Sequence, residues 1–223
     1  MRPGVALALV VTALAGMPPR AGADDGAASY FPLHAGSWWA YEERGQCGQR
    51  LAREIWTMDV RDVRYAGEVH VRASMKRLDT EGGELKRRWE VHEFLRVSAD
   101  GVRKRYPGRD AETEILLVKE PARPGTHWRD AQGRCEVTAQ GTPCQGPPGP
   151  VADCLVVVCR LGEPTATIVT SVYARGIGMV RQEIEVLQLG PTFAGGPHGE
   201  IIGPEPMRGG RSVLELVRYH VGP

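Results

Sequence analysis

The chain has 223 residues, 42% of them hydrophobic and 25% charged, with a formal net charge of +1 at pH 7. That balance excludes an overall electrostatic footprint for nucleic acid or anionic lipid, and the length allows one sizeable core or two small ones. Arginine outnumbers lysine 24 to 4, a bias of overall composition rather than the mark of a site.

Residues 1–23 have the order of a secretory leader: Arg2 near the start, an apolar run from Val5 to Met17, and the small-residue pattern Ala21-Gly22-Ala23. About 13 apolar residues fall short of the roughly 20 that a spanning helix needs, and Pro18-Pro19-Arg20 breaks the run. Cleavage is therefore expected. No cysteine follows the run, so the expected product is exported to periplasm or medium, carries no lipid anchor and has no membrane span. Loss of Arg2 and Arg20 leaves 26 basic against 27 acidic residues, a net charge of −1.

The mature part, 24–223, reads as a single β-rich domain. After a polar start, Tyr30-Phe31-Pro32-Leu33 leads into the aromatic strand Gly36-Ser37-Trp38-Trp39-Ala40-Tyr41. Period-two alternation then dominates. Val69, Val71, Ala73 and Met75 alternate with charged or polar residues, Gly82-Gly83 signals a turn, and Trp89, Val91, Leu95 and Val97 continue the pattern. Ser98-Ala99-Asp100-Gly101 is a hairpin signal. Further strands are expected at 102–106, 114–119, 135–139, 154–161, 165–173, 179–187 and 212–220. Gly/Pro-rich loops are expected at 145–150 and 190–211. About eleven strands and no amphipathic helix predict an all-β fold, a curved antiparallel sheet forming an incomplete or closed barrel. The apolar runs Cys154–Cys159 and Val213–Val217 belong in covered positions, because a long apolar edge invites aggregation.

There is an internal echo. Gly36-Ser37-Trp38-Trp39 and Gly125-Thr126-His127-Trp128 each place a glycine three residues before a tryptophan, with Cys47 or Cys135 seven or eight residues later. Duplication and shared turn grammar both account for it.

All five cysteines, Cys47, Cys135, Cys144, Cys154 and Cys159, lie in the mature part. In an oxidising compartment they predict disulfides, with one thiol left over. Cys154 and Cys159 are five apart on a strand and so face opposite ways; they can neither pair nor share a metal. Cys135 with Cys154 is the expected bridge.

No catalytic motif is present, whether a zinc-protease helix, a nucleophile elbow or a Cys-x-x-Cys pair, and no cofactor or metal site is expected. His70 and His92 fall on polar faces near Glu68 and Glu90. His34 and His127 adjoin turns, His198 lies in a Gly/Pro loop and His220 is near the end. The aromatics are the better clue to a ligand: Trp38 and Trp39 must face opposite ways, and Trp56, Trp89 and Trp128 belong on the inner face, where they line either a pocket or a filled core.

Three stretches together carry a resemblance: Tyr30-Phe31-Pro32-Leu33-His34-Ala35-Gly36-Ser37-Trp38-Trp39-Ala40-Tyr41, Tyr173-Ala174-Arg175-Gly176-Ile177-Gly178-Met179-Val180 and Ser212-Val213-Leu214-Glu215-Leu216-Val217-Arg218-Tyr219. They resemble the opening, a middle turn-and-strand and the closing strand of a group of uncharacterised bacterial exported proteins. Gly149-Pro150-Val151-Ala152-Asp153-Cys154 is similar to a fourth segment of that group, with Val151 where an aromatic usually stands. The resemblance implies a curved antiparallel sheet similar to the incomplete barrels of the lipoprotein carriers LolA and LolB, and no activity.

The expectation is thus a non-catalytic cell-envelope protein that binds an apolar ligand, lipid or protein segment in the concavity of its sheet. An interaction module of an envelope assembly and an unrecognised hydrolase are the alternatives. A tryptophan-lined cavity of several hundred Å3 would mark the first, a filled barrel with an exposed apolar patch the second, and a buried His–carboxylate pair beside Ser or Cys the third.

Overall fold

A computed structural model describes residues 26–47, 50–65, 68–78, 85–105, 114–130, 133–147, 149–162, 167–186 and 210–223; within 46–57 and 61–92 it describes the backbone alone. The leader, Gly82-Gly83, His198 and most of the 190–211 segment lie outside the described residues.

A single-turn 3-10 helix, Ala27–Tyr30, precedes twelve strands: β1 (Trp38–Cys47), β2 (Arg50–Tyr65), β3 (Glu68–Leu78), β4 (Leu85–Ser98), β5 (Gly101–Arg105), β6 (Ile115–Lys119), β7 (His127–Arg129), β8 (Gly133–Gly146), β9 (Gly149–Leu161), β10 (Thr167–Ala174), β11 (Gly178–Val186) and β12 (Gly210–His220). They form one antiparallel sheet in the order β6-β5-β4-β3-β2-β1-β12-β11-β10-β9-β8-β7. Each half of the chain is a six-strand meander, and the halves join where β1 pairs with β12.

The predicted all-β fold with a curved antiparallel sheet is what forms, and alternation explains it. On β8, buried Cys135 and Val137 alternate with exposed Arg134, Glu136 and Thr138, the period-two signature of a strand covered on one face. The described residues hold twelve strands, in line with the about eleven expected, His127–Arg129 being too short to show a period of its own. One detail of the sequence reading is corrected. Residues 145–150 are not a separate loop, because β8 and β9 run on to Gly146 and from Gly149 as a paired hairpin. Beyond Cys154 this hairpin outruns β10, whose last partner pair is Ala174–Cys154. Pro143 and Pro150 therefore interrupt no second ladder, the only kind of place where a strand tolerates proline. The hairpin expected at Ser98–Gly101 does connect β4 and β5.

The sheet curls until its outer edges meet, but it does not close into a barrel, as no ladder joins β6 to β7. Side chains span the gap instead. Trp128 Nε1–H donates to the Leu116 carbonyl at 2.8 Å, and the Leu116 N–H donates to Asp130 Oδ2 at 3.3 Å. Core packing crosses the same gap: Val102, Leu116 and Val118 from β5 and β6 share one buried cluster with Trp128, Cys135, Val137, Leu155, Val157 and Tyr173 from β7–β10. Two short edges turned toward each other are poor templates for a foreign strand.

The internal echo has a structural counterpart. Gly36 N–H donates to Val60 O and Val60 N–H to Ser37 O; Gly125 N–H donates to Val137 O and Val137 N–H to Thr126 O. The preceding turns match as well, with Ser37 N–H to His34 O and Thr126 N–H to Arg123 O. Both glycines take φ values, +83° and +86°, that side-chain-bearing residues rarely adopt. Each turn launches the first strand of a six-strand half, β1 or β7, and delivers a buried tryptophan, Trp39 or Trp128. A repeated six-strand unit accounts for this better than turn grammar alone, since the equivalent bonds reach into equivalent second strands, β2 and β8.

Candidate functional site

The two ends of the curled sheet differ. At one end, residues 26–37 fold across the opening as a plug. Tyr30 is fully buried, and its hydroxyl donates to Asp153 Oδ1 at 2.7 Å. Arg175 Nε donates to the other Asp153 oxygen, its Nη1 donates to Ser29 Oγ at 2.8 Å, and its guanidinium stacks 4.9 Å from the Tyr30 ring centre. Gly176 N–H donates to Ser29 O at 2.9 Å, and Ala27 N–H donates to the Glu120 carboxylate. Burial works against ionisation of Asp153, yet the Tyr30 hydrogen bond and the Arg175 ion pair outweigh it and hold the carboxyl below its ordinary value. Inside the plug, Trp39 Nε1–H donates to Ile177 O and the Tyr41 hydroxyl donates to Met179 O at 3.0 Å. An open groove of about 520 Å3 on this end is bordered by Glu120, Arg123, Gln140, Asp153 and Arg175. Three of its four charged groups, Glu120, Asp153 and Arg175, hold the plug in place.

At the other end the interior is not filled. A cavity of about 140 Å3 is lined by Lys104, Ile115, Leu116, Asp130, Cys135, Val157, Leu161, Val169, Ser171 and Tyr173 among others. Lys104, Asp130, Ser171 and Tyr173 are the polar residues of its wall, and Lys104 and Ser171 have partners behind it. Lys104 Nζ lies 3.3 Å from Glu93 Oε1, with 21% and 12% of the two side chains exposed. Gln182 Nε2 donates to Ser171 Oγ at 3.1 Å. Burial pushes the Tyr173 hydroxyl pKa up, while Ser171 and Lys104 pull it the other way. The register puts these groups inside: Glu93 stands opposite Val71 and so in line with buried Val60, Lys104 stands opposite buried Leu95, and Ser171 stands opposite both Gln182 and buried Val157. The site is a mixed wall: the Lys104 ammonium, the Asp130 carboxylate and the Ser171 and Tyr173 hydroxyls stand among apolar side chains, with Glu93 and Gln182 behind them as partners of Lys104 and Ser171, an arrangement able to orient a small ligand with one apolar and one polar end.

The tryptophans named as ligand-lining take other places. Trp39 and Trp128 are buried and tied by their indole N–H groups, Trp38 is half-exposed on the opposite face of β1, and none of the three borders either cavity. Trp56 stands opposite Tyr41, and Trp89 opposite Met75 in the same cross-strand row; their side chains lie outside the described residues.

The disulfide expectation is corrected. Cys135 bridges Cys159, and Cys144 bridges Cys154. Cys135 stands opposite Cys159 in the β8–β9 register, whereas Cys144 stands opposite Val151 and Cys154 opposite Thr142, so the second bridge runs diagonally across the bulged part of the ladder; the expected Cys135–Cys154 pair would have needed a register displaced by five residues. The Cys47 side chain lies outside the described residues. His70 stands opposite Phe94 and His92 opposite Arg72, so the two histidines are offset by two pairs along β3 and β4. His34, His127 and His220 are exposed. Among the described residues, no group of three His, Cys, Asp or Glu is placed to hold a metal ion, and no helix is long and apolar enough to cross a membrane.

The sequence missed the Glu93–Lys104–Ser171–Tyr173 wall. Lys104 sits in the run Arg103-Lys104-Arg105, which reads as a solvated stretch; only the inward phase of β5 sets it apart from its neighbours.

No family model matches the chain, and no curated protein does. Among solved structures it is similar to a "putative lipoprotein" from Parabacteroides distasonis, with 11% identity, a TM-score of 0.38, and coverage of 86% of this chain and 98% of that one.

Proposed function

We propose that the chain is an exported, non-catalytic binding protein of the cell envelope, and that its ligand enters the concavity of the sheet from the end opposite the plug. The carrying observation is the asymmetry of the interior: one end is packed shut around Tyr30, Trp39 and Tyr41, whereas the other holds a cavity with Lys104, the ion-pair partner of Glu93, on its wall. Burying Glu93 and Lys104 costs desolvation that an apolar pair would avoid, and a polar contact to a ligand is a reason to retain them. Two disulfides support an oxidising compartment, as does the leader-like N-terminus.

The cavity limits what enters. At about 140 Å3 it is close to the size of an engineered cavity that takes benzene and well below the 300–1,000 Å3 of a drug-sized site. The ligand inserts a short apolar end and leaves its polar part against Lys104 and Ser171. A whole lipid does not fit in this space. Native mass spectrometry of the protein purified without refolding tests the reading: a small adduct released on denaturation supports it, and an adduct-free mass speaks against it. Val169→Phe, which fills the cavity from β10, should abolish the adduct while leaving both disulfides intact.

A further inference from the structure

Arg129, Arg134 and Arg160 stand directly opposite one another on β7, β8 and β9. All three are exposed on the outer face. At a strand spacing of about 4.8 Å the row spans roughly 10 Å, and like charges placed directly opposite across a ladder repel. None of the three side chains makes a hydrogen bond or ion pair with a described residue; the ion pairs of the described residues lie elsewhere. Glu136, next along that face of β8, is opposite His127 and joins none of them. The row flanks the β7–β8 turn at the cavity end of the sheet, beside the Cys135–Cys159 bridge. On the far side of the sheet, at the same end, the backbone register again sets basic residues opposite each other, Lys76 with Arg88 and Arg77 with Arg87.

We propose that this row is a docking surface for an anionic lipid membrane, and that it turns the cavity end of the sheet toward that membrane. Repulsion that no carboxylate among the described residues pairs off is relieved by an external array of anions. None of the three arginines borders a cavity, so nothing encloses a single free anion. Nor is a protein partner the better fit: a stable protein interface has an apolar centre, and the exposed large hydrophobic residues among those described, Val97 and Val217, lie on β4 and β12. A flat cationic row with no apolar centre suits electrostatic adsorption to headgroups. The proposal goes beyond the cavity reading and stands without it, because it concerns the outer wall alone.

The test is co-sedimentation of the mature protein with vesicles of phosphatidylcholine containing 30 mol% phosphatidylglycerol, against vesicles of phosphatidylcholine alone. Each basic residue near an anionic surface is worth a factor of about five in affinity. The combined variant Arg129→Gln, Arg134→Gln, Arg160→Gln should therefore bind anionic vesicles about a hundredfold more weakly, with thermal stability equal to or above wild type. Arg123→Gln, an exposed site at the plug end, should bind like wild type. Binding should also fall steeply between 50 mM and 500 mM salt, as exposed charges are screened. Failure of the wild type to bind anionic vesicles, or equal binding by the triple variant, would overturn the proposal. So would binding to an acidic peptide that the triple variant loses while vesicle binding is absent. An adduct in native mass spectrometry bears only on the cavity, so the two readings fail separately.

Discussion

Asp153 collects three partners at one strand position: the Tyr30 hydroxyl, the Arg175 guanidinium and, through that guanidinium, Ser29. It is the residue that fastens the plug to the β8–β9 hairpin. Its carboxyl is held below its ordinary pKa, so its contribution to stability is present above the unfolded value of about 3.9 and is lost as pH falls through the lower folded value. Asp153→Asn should lower stability at pH 7 by about 1 kcal/mol, modest because the side chain is partly exposed. The difference from wild type should shrink toward zero below pH 3. Thermal unfolding of both proteins at pH 7 and pH 3 checks this, and an unchanged difference at the two pH values contradicts it. Trp128 is the corresponding residue at the gap. Trp128→Phe leaves the buried Leu116 carbonyl without its indole donor and should cost about 1–3 kcal/mol, read as a shift in the urea midpoint. At this scale the sequence was informative about the motif residues. Tyr30, Trp39, Tyr41, Asp153, Arg175 and Ile177 all lie in the stretches that carry the resemblance, and the structure brings them together around the plug. They are structural contacts, which is why no chemistry could be read from them. Lys104 and Glu93 were illegible, because a charge turned inward looks the same in sequence as one turned outward.

The β8–β9 hairpin shows what alternation can and cannot fix. It assigns Cys135 and Val137 to one face without ambiguity. It does not fix the register, which sets Cys135 opposite Cys159 and five residues from Cys154, and so the predicted Cys135–Cys154 bridge failed. Nor does it show the bulges at Val137/Ala139, Gln140/Thr142 and Thr142/Cys144, past which Cys144 reaches Cys154 diagonally. Peptide mapping under non-reducing conditions should find Cys135–Cys159 and Cys144–Cys154; recovery of Cys135–Cys154 would contradict the register. With sequence separations of 24 and 10, each bridge restricts the unfolded chain by about 3 kcal/mol on the loop-entropy account. The paired variant Cys144→Ser, Cys154→Ser should therefore lower the unfolding free energy by about that amount. It also removes the covalent pin next to Asp153, so the plug should become the first region to gain hydrogen exchange.

At the scale of the whole molecule, two six-strand meanders share one concavity, joined by a nine-pair ladder at β1–β12 and by side chains alone at β6–β7. The number of strands and the curvature were nearly legible from period-two runs and the lack of an amphipathic helix. The balance between a filled and an open interior was not, since it depends on where Trp39 and Trp128 point once the sheet curls. Net charge was similarly blind to the arginine row, which the register assembles from three strands in a chain that is almost neutral overall. The Glu93–Lys104 pair, whose lysine lines the cavity, gives a way to separate stability from binding. Lys104→Met leaves Glu93 buried without that partner and should cost about 2 kcal/mol, less than a fully buried pair because Lys104 is partly exposed. Lys104→Met with Glu93→Leu should recover most of that stability, as apolar replacement of both partners generally does, and still fail to hold a ligand.

The central claim is that the interior is closed at the plug and occupied by a ligand at the other end. The most direct measurement is a crystal structure of the mature protein purified from its own compartment without refolding. The account predicts electron density for a small molecule between Lys104, Val169, Ser171 and Tyr173, with its polar end toward Lys104. A cavity holding only ordered water, or one collapsed by its own side chains, would contradict it.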